Sequence, residues 1–324
     1  MKRRKDEVRE YIKQVIFDNR NEIINGCRPI KDTDINEYLC NNTVIFEEYE
    51  VYFKGNFSIA YELEFNNCKV VFEGKITTEK NIKFKNCEII FGEIYIPRFL
   101  ASHIDLSHQH YINQEFEKKI TIEFIGCDIY QEDFDSISKT NKLIINDNIG
   151  PIIQLYDGDI ILINCKIKNV VDLIESRESS IIYIEKCVFG ECKGVIIANA
   201  FSNPNGEIII KDSHFKEIKF VERYQPPLIF EGNHKKNLIY LNGCYNIISN
   251  CRFENGSEAL ITTSNDGYTL IEDCEFSSSI CTDETGRYPI VYTYGDVDII
   301  DCEFNDTSKD IEKKEGELDV TNIY

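Results

Sequence analysis

Apolar and polar positions alternate in short bursts along nearly the whole chain, and each burst ends on a small residue followed by one more apolar side chain. The segments "LEFNNCKVVF" (63–72), "IKFKNCEIIF" (82–91), "IEFIGCDIY" (122–130), "ILINCKI" (161–167) and "IYIEKCVF" (182–189) share one frame. "IIKDSHF" (209–215), "IISNCRF" (247–253), "IEDCEF" (271–276) and "DIIDCEF" (298–304) continue it. The template is apolar, any, apolar, two mostly polar positions, a small residue, any, apolar. Alternation of period two is the mark of a strand with one buried face. The polar pair then predicts a corner, and the residues after it a second strand.

The small position is filled by Cys68, Cys87, Cys127, Cys165, Cys187, Ser213, Cys251, Cys274 and Cys302, so the frame recurs after 19, 40, 38, 22, 26, 38, 23 and 28 residues. A repeat of this length marks a solenoid, and intervals near 40 residues hold two turns or one turn with a long loop. Upstream of many copies lies another apolar strand and a tight turn, as in "PIIQLYDGDIILINC", with Asp157-Gly158, Asp266-Gly267 and Gly295-Asp296 supplying the turn chemistry. Each rung then reads strand, turn, strand, corner, strand. In rungs stacked about 4.8 Å apart, equivalent residues form ladders. The cysteines are expected to point inward as small polarizable side chains, inert because buried, with Ser213 showing that size is what the position requires. Phe189, Phe215, Phe253, Phe276 and Phe304 are expected to stack one column further on.

This pattern resembles the generic β-helix repeats of the pectin-lyase-like superfamily, in which an Asn often stacks at the corner before an inward small residue. Here that place holds Asn67, Asn86, Asn164 and Asn250, with Asp212, Asp273 and Asp301 in three more copies, while Gly126 and Lys186 depart from it. The resemblance covers roughly residues 41 to 306 and implies an all-β fold, a right-handed parallel β-helix solenoid of at least nine rungs. Residues 1–40 are expected to form an N-terminal helical cap, with 4–25 amphipathic through Val8, Ile12, Val15, Ile16, Ile23 and Ile24 and stopped by Gly26. Residues 307–324 form a polar tail or a final strand covering the last rung. The basic run Lys2 to Lys5 reads as a solvated end.

Composition narrows the function. A net charge of −20 and a pI near 4.7 exclude nucleic-acid binding through a broad basic face. No window is long and apolar enough for a signal peptide or a membrane span, which predicts a cytoplasmic protein without membrane association. The odd number of cysteines, 13, without any CxxC pair argues against both a closed disulfide set and a zinc ribbon.

Chemistry in such a fold lies on outer faces or in corner loops. The segment 97–119 holds His103, His108 and His110, which are candidate metal ligands, although a solvated loop explains them as well. The segment 216–237 collects Arg223, Tyr224, His234, Lys235 and Lys236 around Pro226-Pro227, a patch suited to a carboxylate or an anionic sugar; edge-protecting prolines are the competing explanation. Asp157 and Asp159 are spaced for paired acid and base work, but Asp-Gly is also common turn chemistry. The catalytic candidates are thus Asp157, Asp159, Arg223 and His234, and the binding candidates Tyr224, Lys235 and Lys236. The NTD, DD, GHG and RIK motifs of polygalacturonase-like enzymes are absent, as is the arginine-bearing run of pectate lyases. The leading expectation is a non-catalytic acidic scaffold that docks a protein partner, by charge mimicry of nucleic acid or otherwise, or forms a homo-oligomer, with no cofactor. The alternative is a carbohydrate-active lyase or hydrolase acting on a polysaccharide.

Overall fold

A computed structural model describes residues 28–29, 43–53, 57–59, 62–72, 76–78, 80–91, 99–102, 120–131, 153–156, 158–170, 173–177, 180–192, 196–198, 206–218, 239–241, 245–256, 260–263, 267–278, 291–293, 295–305, 311–313 and 317–323. The helix expected over 4–25 lies outside them. The strands form three long sheets of 11, 11 and 10 strands. Sheet 1 holds the strand before each cysteine, from Thr43–Glu47 to Leu318–Thr321. Sheet 2 holds the strand after it, from Tyr49–Phe53 to Glu303–Asn305, and sheet 3 runs from Phe57–Ile59 to Ile311–Lys313. Every rung-to-rung pairing is parallel and in register. The chain is therefore a parallel β-helix, wound with the right hand that parallel connections take. One antiparallel pair, Arg28–Pro29 against Tyr49 and Glu50, lies at the amino-terminal edge of sheet 2.

Two features of the rungs escape the cysteine frame. The first rung, "TVIFEEYEVYF" over 43–53, places Tyr49 where later copies have cysteine. After residue 306 the strands Ile311–Lys313 and Leu318–Thr321 continue sheets 3 and 1.

The corner explains the polar pair. Its second residue adopts a left-handed backbone in every copy, including Asn67 (φ 53°), Lys186 (φ 54°), Asp273 (φ 51°) and Gly126 (φ 64°). Asn, Asp and Gly tolerate that region best. A second left-handed corner follows sheet 2 at Asn169, Glu191, Glu217, Asn255 and Ser278. No shared residue type marks it, so it was not legible in the chain.

The small position does more than fill space. Each thiol donates to the carbonyl two residues back, at 3.3 Å for Cys187 to Glu185 and 3.2 Å for Cys274 to Glu272. Some also accept from the preceding rung: the Tyr49 N–H reaches Cys68 Sγ, the Cys68 N–H reaches Cys87 Sγ and the Cys165 N–H reaches Cys187 Sγ, all at 3.4 Å. Ser213 repeats both bonds with its hydroxyl, accepting from Cys187 N–H at 3.1 Å and donating to Lys211 O at 2.7 Å. The column thus closes the corner's backbone hydrogen bonds as well as its volume, a polar duty that a purely apolar reading of the cysteine leaves out. All nine described cysteines are free and buried, and burial pushes the Cys192 thiol up to about 12.

Core volume is shared between the two sheets. In the first four rungs sheet 1 carries a ring column, Phe46, Phe65, Phe84 and Phe124, stacked at 4.8 to 5.0 Å; sheet 2 supplies Val51, Val70, Ile89 and Ile129 and, in the first three rungs, a second buried ring column of Phe53, Phe72 and Phe91. From the sixth rung the assignment reverses: Phe189, Phe215, Phe253, Phe276 and Phe304 stack in sheet 2 at 4.6 to 4.9 Å, opposite Ile184, Ile210, Ile248, Ile271 and Ile299. Leu162 and Ile167 sit in the rung between. Apart from the rung of Leu162 and Ile167, each of these pairs sets one phenylalanine against one aliphatic residue across the interior. Phe304 is only partly buried, because the rung beyond it contributes no described strand to sheet 2.

Candidate functional site

Alternation that buries one side of each sheet 1 strand presents the other side to solvent as three parallel columns. From Gly158–Ile163 to Asp296–Ile300, the middle column is Ile161, Tyr183, Ile209, Ile247, Leu270 and Asp298. Five consecutive rungs thus carry a large apolar or aromatic residue outward, each half-buried by its neighbours. Ile163, Ile181, Tyr245 and Tyr268 widen this strip from the flanking columns. Single exposed hydrophobics need no explanation, but a contiguous outward ladder is unusual on a soluble face.

Carboxylates border the strip. Asp159, Glu207 and Asp296 lie in one flanking column, Glu185 and Glu272 in the other, and Asp298 and Asp319 extend the middle one. Lys211 is the one cation in these three columns between residues 158 and 300. The acids are held in place. Tyr268 donates to Asp298 at 2.6 Å, which raises the phenol to about 12, and Tyr183 donates to Glu185 at 2.8 Å. Lys186, and then Tyr183, keep Glu185 below the usual carboxylate range. Tyr245 and Tyr268 stack with centroids 5.7 Å apart, and Tyr245 is 40% exposed.

The outer face of sheet 2 differs. Lys166, His214 and Arg252 fall in one column, and Lys168, Lys216 and Glu254 in the next, with Gly190 leaving open space between the two lysines. His214 Nε2 lies 3.2 Å from Glu254 Oε2, close in distance but without hydrogen-bond alignment. Arg252 Nε bridges Glu254 at 2.7 Å and Glu275 at 3.3 Å. The sequence segment 219–238, which contains Arg223, Tyr224, His234, Lys235 and Lys236, lies between the strands His214–Lys216 and Ile239–Leu241 in the chain and is outside the described residues.

Among the candidate catalytic, binding and metal-ligating residues singled out from the sequence, only Asp159 is described. Its Oδ1 accepts the Ile181 N–H of the next rung at 3.0 Å, as Asn81 does for Thr121 and Asp296 for Glu317. Asp159 therefore caps a strand entrance. Asp157, His103, His108, His110, Arg223, Tyr224, His234, Lys235 and Lys236 lie outside the described residues. Among the described residues, no group of three or more His, Cys, Asp or Glu is arranged to hold a metal ion, and no helix is long and apolar enough to cross a membrane. The apolar ladder was missed because its members sit at the "any" positions of the template; reading the "any" positions against one another across copies would have found it.

Strand pairing and outer faces together define a parallel β-helix with one apolar, acid-bordered face and one mixed basic face. No family model matches this chain, and no curated protein does. Among solved structures, endopolygalacturonase I from Stereum purpureum, complexed with two galacturonate, is similar at 11% identity and a TM-score of 0.28, over 86% of this chain and 95% of that chain.

Proposed function

We propose that the protein is a docking solenoid whose sheet 1 outer face binds a protein partner. The ladder Ile161, Tyr183, Ile209, Ile247 and Leu270 carries this reading, because side chains held outward on a rigid sheet cost little entropy to present and gain about 25 cal/mol for each Å² they bury. β-Branched aliphatic residues in the middle column suit a protein surface better than a sugar ring. The carboxylates at the margins select a partner with basic residues at its rim. The test is a paired affinity purification from the native cell, with the wild-type chain and an Ile209→Asp/Ile247→Asp variant. A stoichiometric protein retained by the first and absent from the second supports the proposal. The same proteins on both, or none on either, removes it.

The second reading is a polysaccharide-active enzyme, and the His214, Glu254 and Arg252 cluster favours it. An imidazole beside a carboxylate offers an acid and base pair, and the neighbouring cations suit an anionic sugar. The endopolygalacturonase likeness points the same way only as an architecture. Depolymerisation of polygalacturonate or a related glycan that is lost in Glu254→Gln would establish this reading.

A further inference from the structure

We infer that the element docking on sheet 1 is a basic amphipathic helix lying along the solenoid axis, an inference that rests on the protein-docking reading above. Three observations carry it. The first is direction: the apolar residues line up rung over rung, so the strip runs along the axis and across the strands, for about 19 Å between Ile161 and Leu270.

The second is periodicity. A helix places apolar residues at i, i+3 or i+4 and i+7, one group for each turn of about 5.4 Å. That differs from the rung spacing of about 4.8 Å by only about 0.6 Å per step. An extended strand laid along the same line repeats its face every 6.6 Å or so, and slips by more than a third of a rung, about 1.8 Å, at each step. A helix of about 13 residues spans the ladder and drifts by about 2.4 Å over its length, against about 7 Å for an extended strand.

The third is charge. Asp159 and Glu207 on one side, Glu185 and Glu272 on the other, and Asp298 and Asp319 at the carboxyl-terminal end frame the strip on three sides. Lys or Arg residues flanking an apolar stripe meet this frame, with Lys211 and Lys186, which pairs with Glu185, the local exceptions. The protein's net charge of −20 steers such a helix inward from a distance and repels a second copy of the chain. An acidic or neutral docking element gains nothing from the rim.

The experiment uses the full chain and three synthetic 18-residue peptides of identical Leu, Ile, Lys and Ala composition. One carries the apolar residues at helical period, one at alternating period, and one is scrambled. Binding is read by fluorescence anisotropy at low and high salt, and circular dichroism follows the peptide. The helical-period peptide is expected to bind at least about tenfold tighter than the other two and to gain helicity on binding. It should weaken about tenfold or more on Ile209→Asp/Ile247→Asp and weaken further with salt, while variants at Lys166 and Lys168 on sheet 2 leave it unchanged. Equal binding of all three peptides, or preference for the alternating one, overturns the helix. If no peptide binds while a cellular partner is still lost from the Ile209→Asp/Ile247→Asp variant, the docking reading stands and the helix falls. Loss of both results removes both.

Discussion

Replacing Cys187 by alanine removes one sulfur from the interior of a rung, together with the bond it accepts and the donation its S–H shares between Glu185 O and, at 3.5 Å, Leu162 O. In the native chain the thiol donates to Glu185 O at 3.3 Å, and its sulfur accepts the Cys165 N–H of the preceding rung at 3.4 Å. Alanine leaves that buried N–H without this acceptor. Sulfur is a weak acceptor, so the loss falls at the low end of the roughly 1 to 3 kcal/mol range for an unsatisfied buried donor. The missing sulfur adds roughly the transfer energy of one methylene, about 0.8 kcal/mol. Cys187→Ala should therefore cost about 2 kcal/mol. Serine keeps both bonds, as Ser213 does one rung later with contacts of 3.1 and 2.7 Å, and Cys187→Ser should cost less than about 1 kcal/mol. Ser213→Ala should be destabilising and Ser213→Cys nearly neutral. The ranking separates two accounts of the column: hydrogen-bond closure orders the variants Cys, Ser, Ala, whereas simple apolar filling orders them Cys, Ala, Ser. The assay is urea unfolding under reductant, followed by circular dichroism and tyrosine fluorescence, since the chain has no Trp. The two probes must coincide and the slopes agree before midpoints are compared. Alanine variants as stable as serine variants at both sites would refute the closure argument.

Phe276→Ala should cost about 3 to 5 kcal/mol, because the ring is wholly buried between Phe253 and Phe304 in a ladder that cannot collapse around the gap; the same urea titration reads it. Lys186→Asn should stabilise by up to about 1 kcal/mol in thermal unfolding, since it relieves a left-handed backbone and loses only an exposed pairing with Glu185. Burial raises the Cys192 thiol to about 12 and Cys274 well above its ordinary value, so the native state holds protons that the unfolded chain releases near pH 9. Their contribution is fully present below pH 9 and is lost as pH climbs toward 12, and denaturation midpoints measured under reductant should fall over that window. A flat profile would contradict buried, protonated thiols at Cys192 and Cys274.

The recurring frame of alternation, polar pair and small residue was sufficient by itself for the architecture. A period-two face that cannot be buried within one rung must be buried by stacking copies, and the Asn and Asp of the polar pair already satisfy a left-handed corner. Two rungs escaped because Tyr49 and Ile323 stand where the frame has cysteine, and the second corner escaped because Asn169, Glu191 and Ser278 share no chemistry. The end of the sheet 1 phenylalanine column at Phe124 and the start of the sheet 2 column at Phe189 are visible in the letters, but their meaning is not: only the facing of two sheets across one interior makes Phe84 and Ile89, or Ile210 and Phe215, complementary volumes. The same holds for the candidate surface. Ile161, Tyr183, Ile209, Ile247 and Leu270 are 22 to 38 residues apart, each an unremarkable outward residue in its own strand. Register alone turns them into a ladder, because a parallel rung sets equivalent positions one strand spacing apart however long the intervening loop.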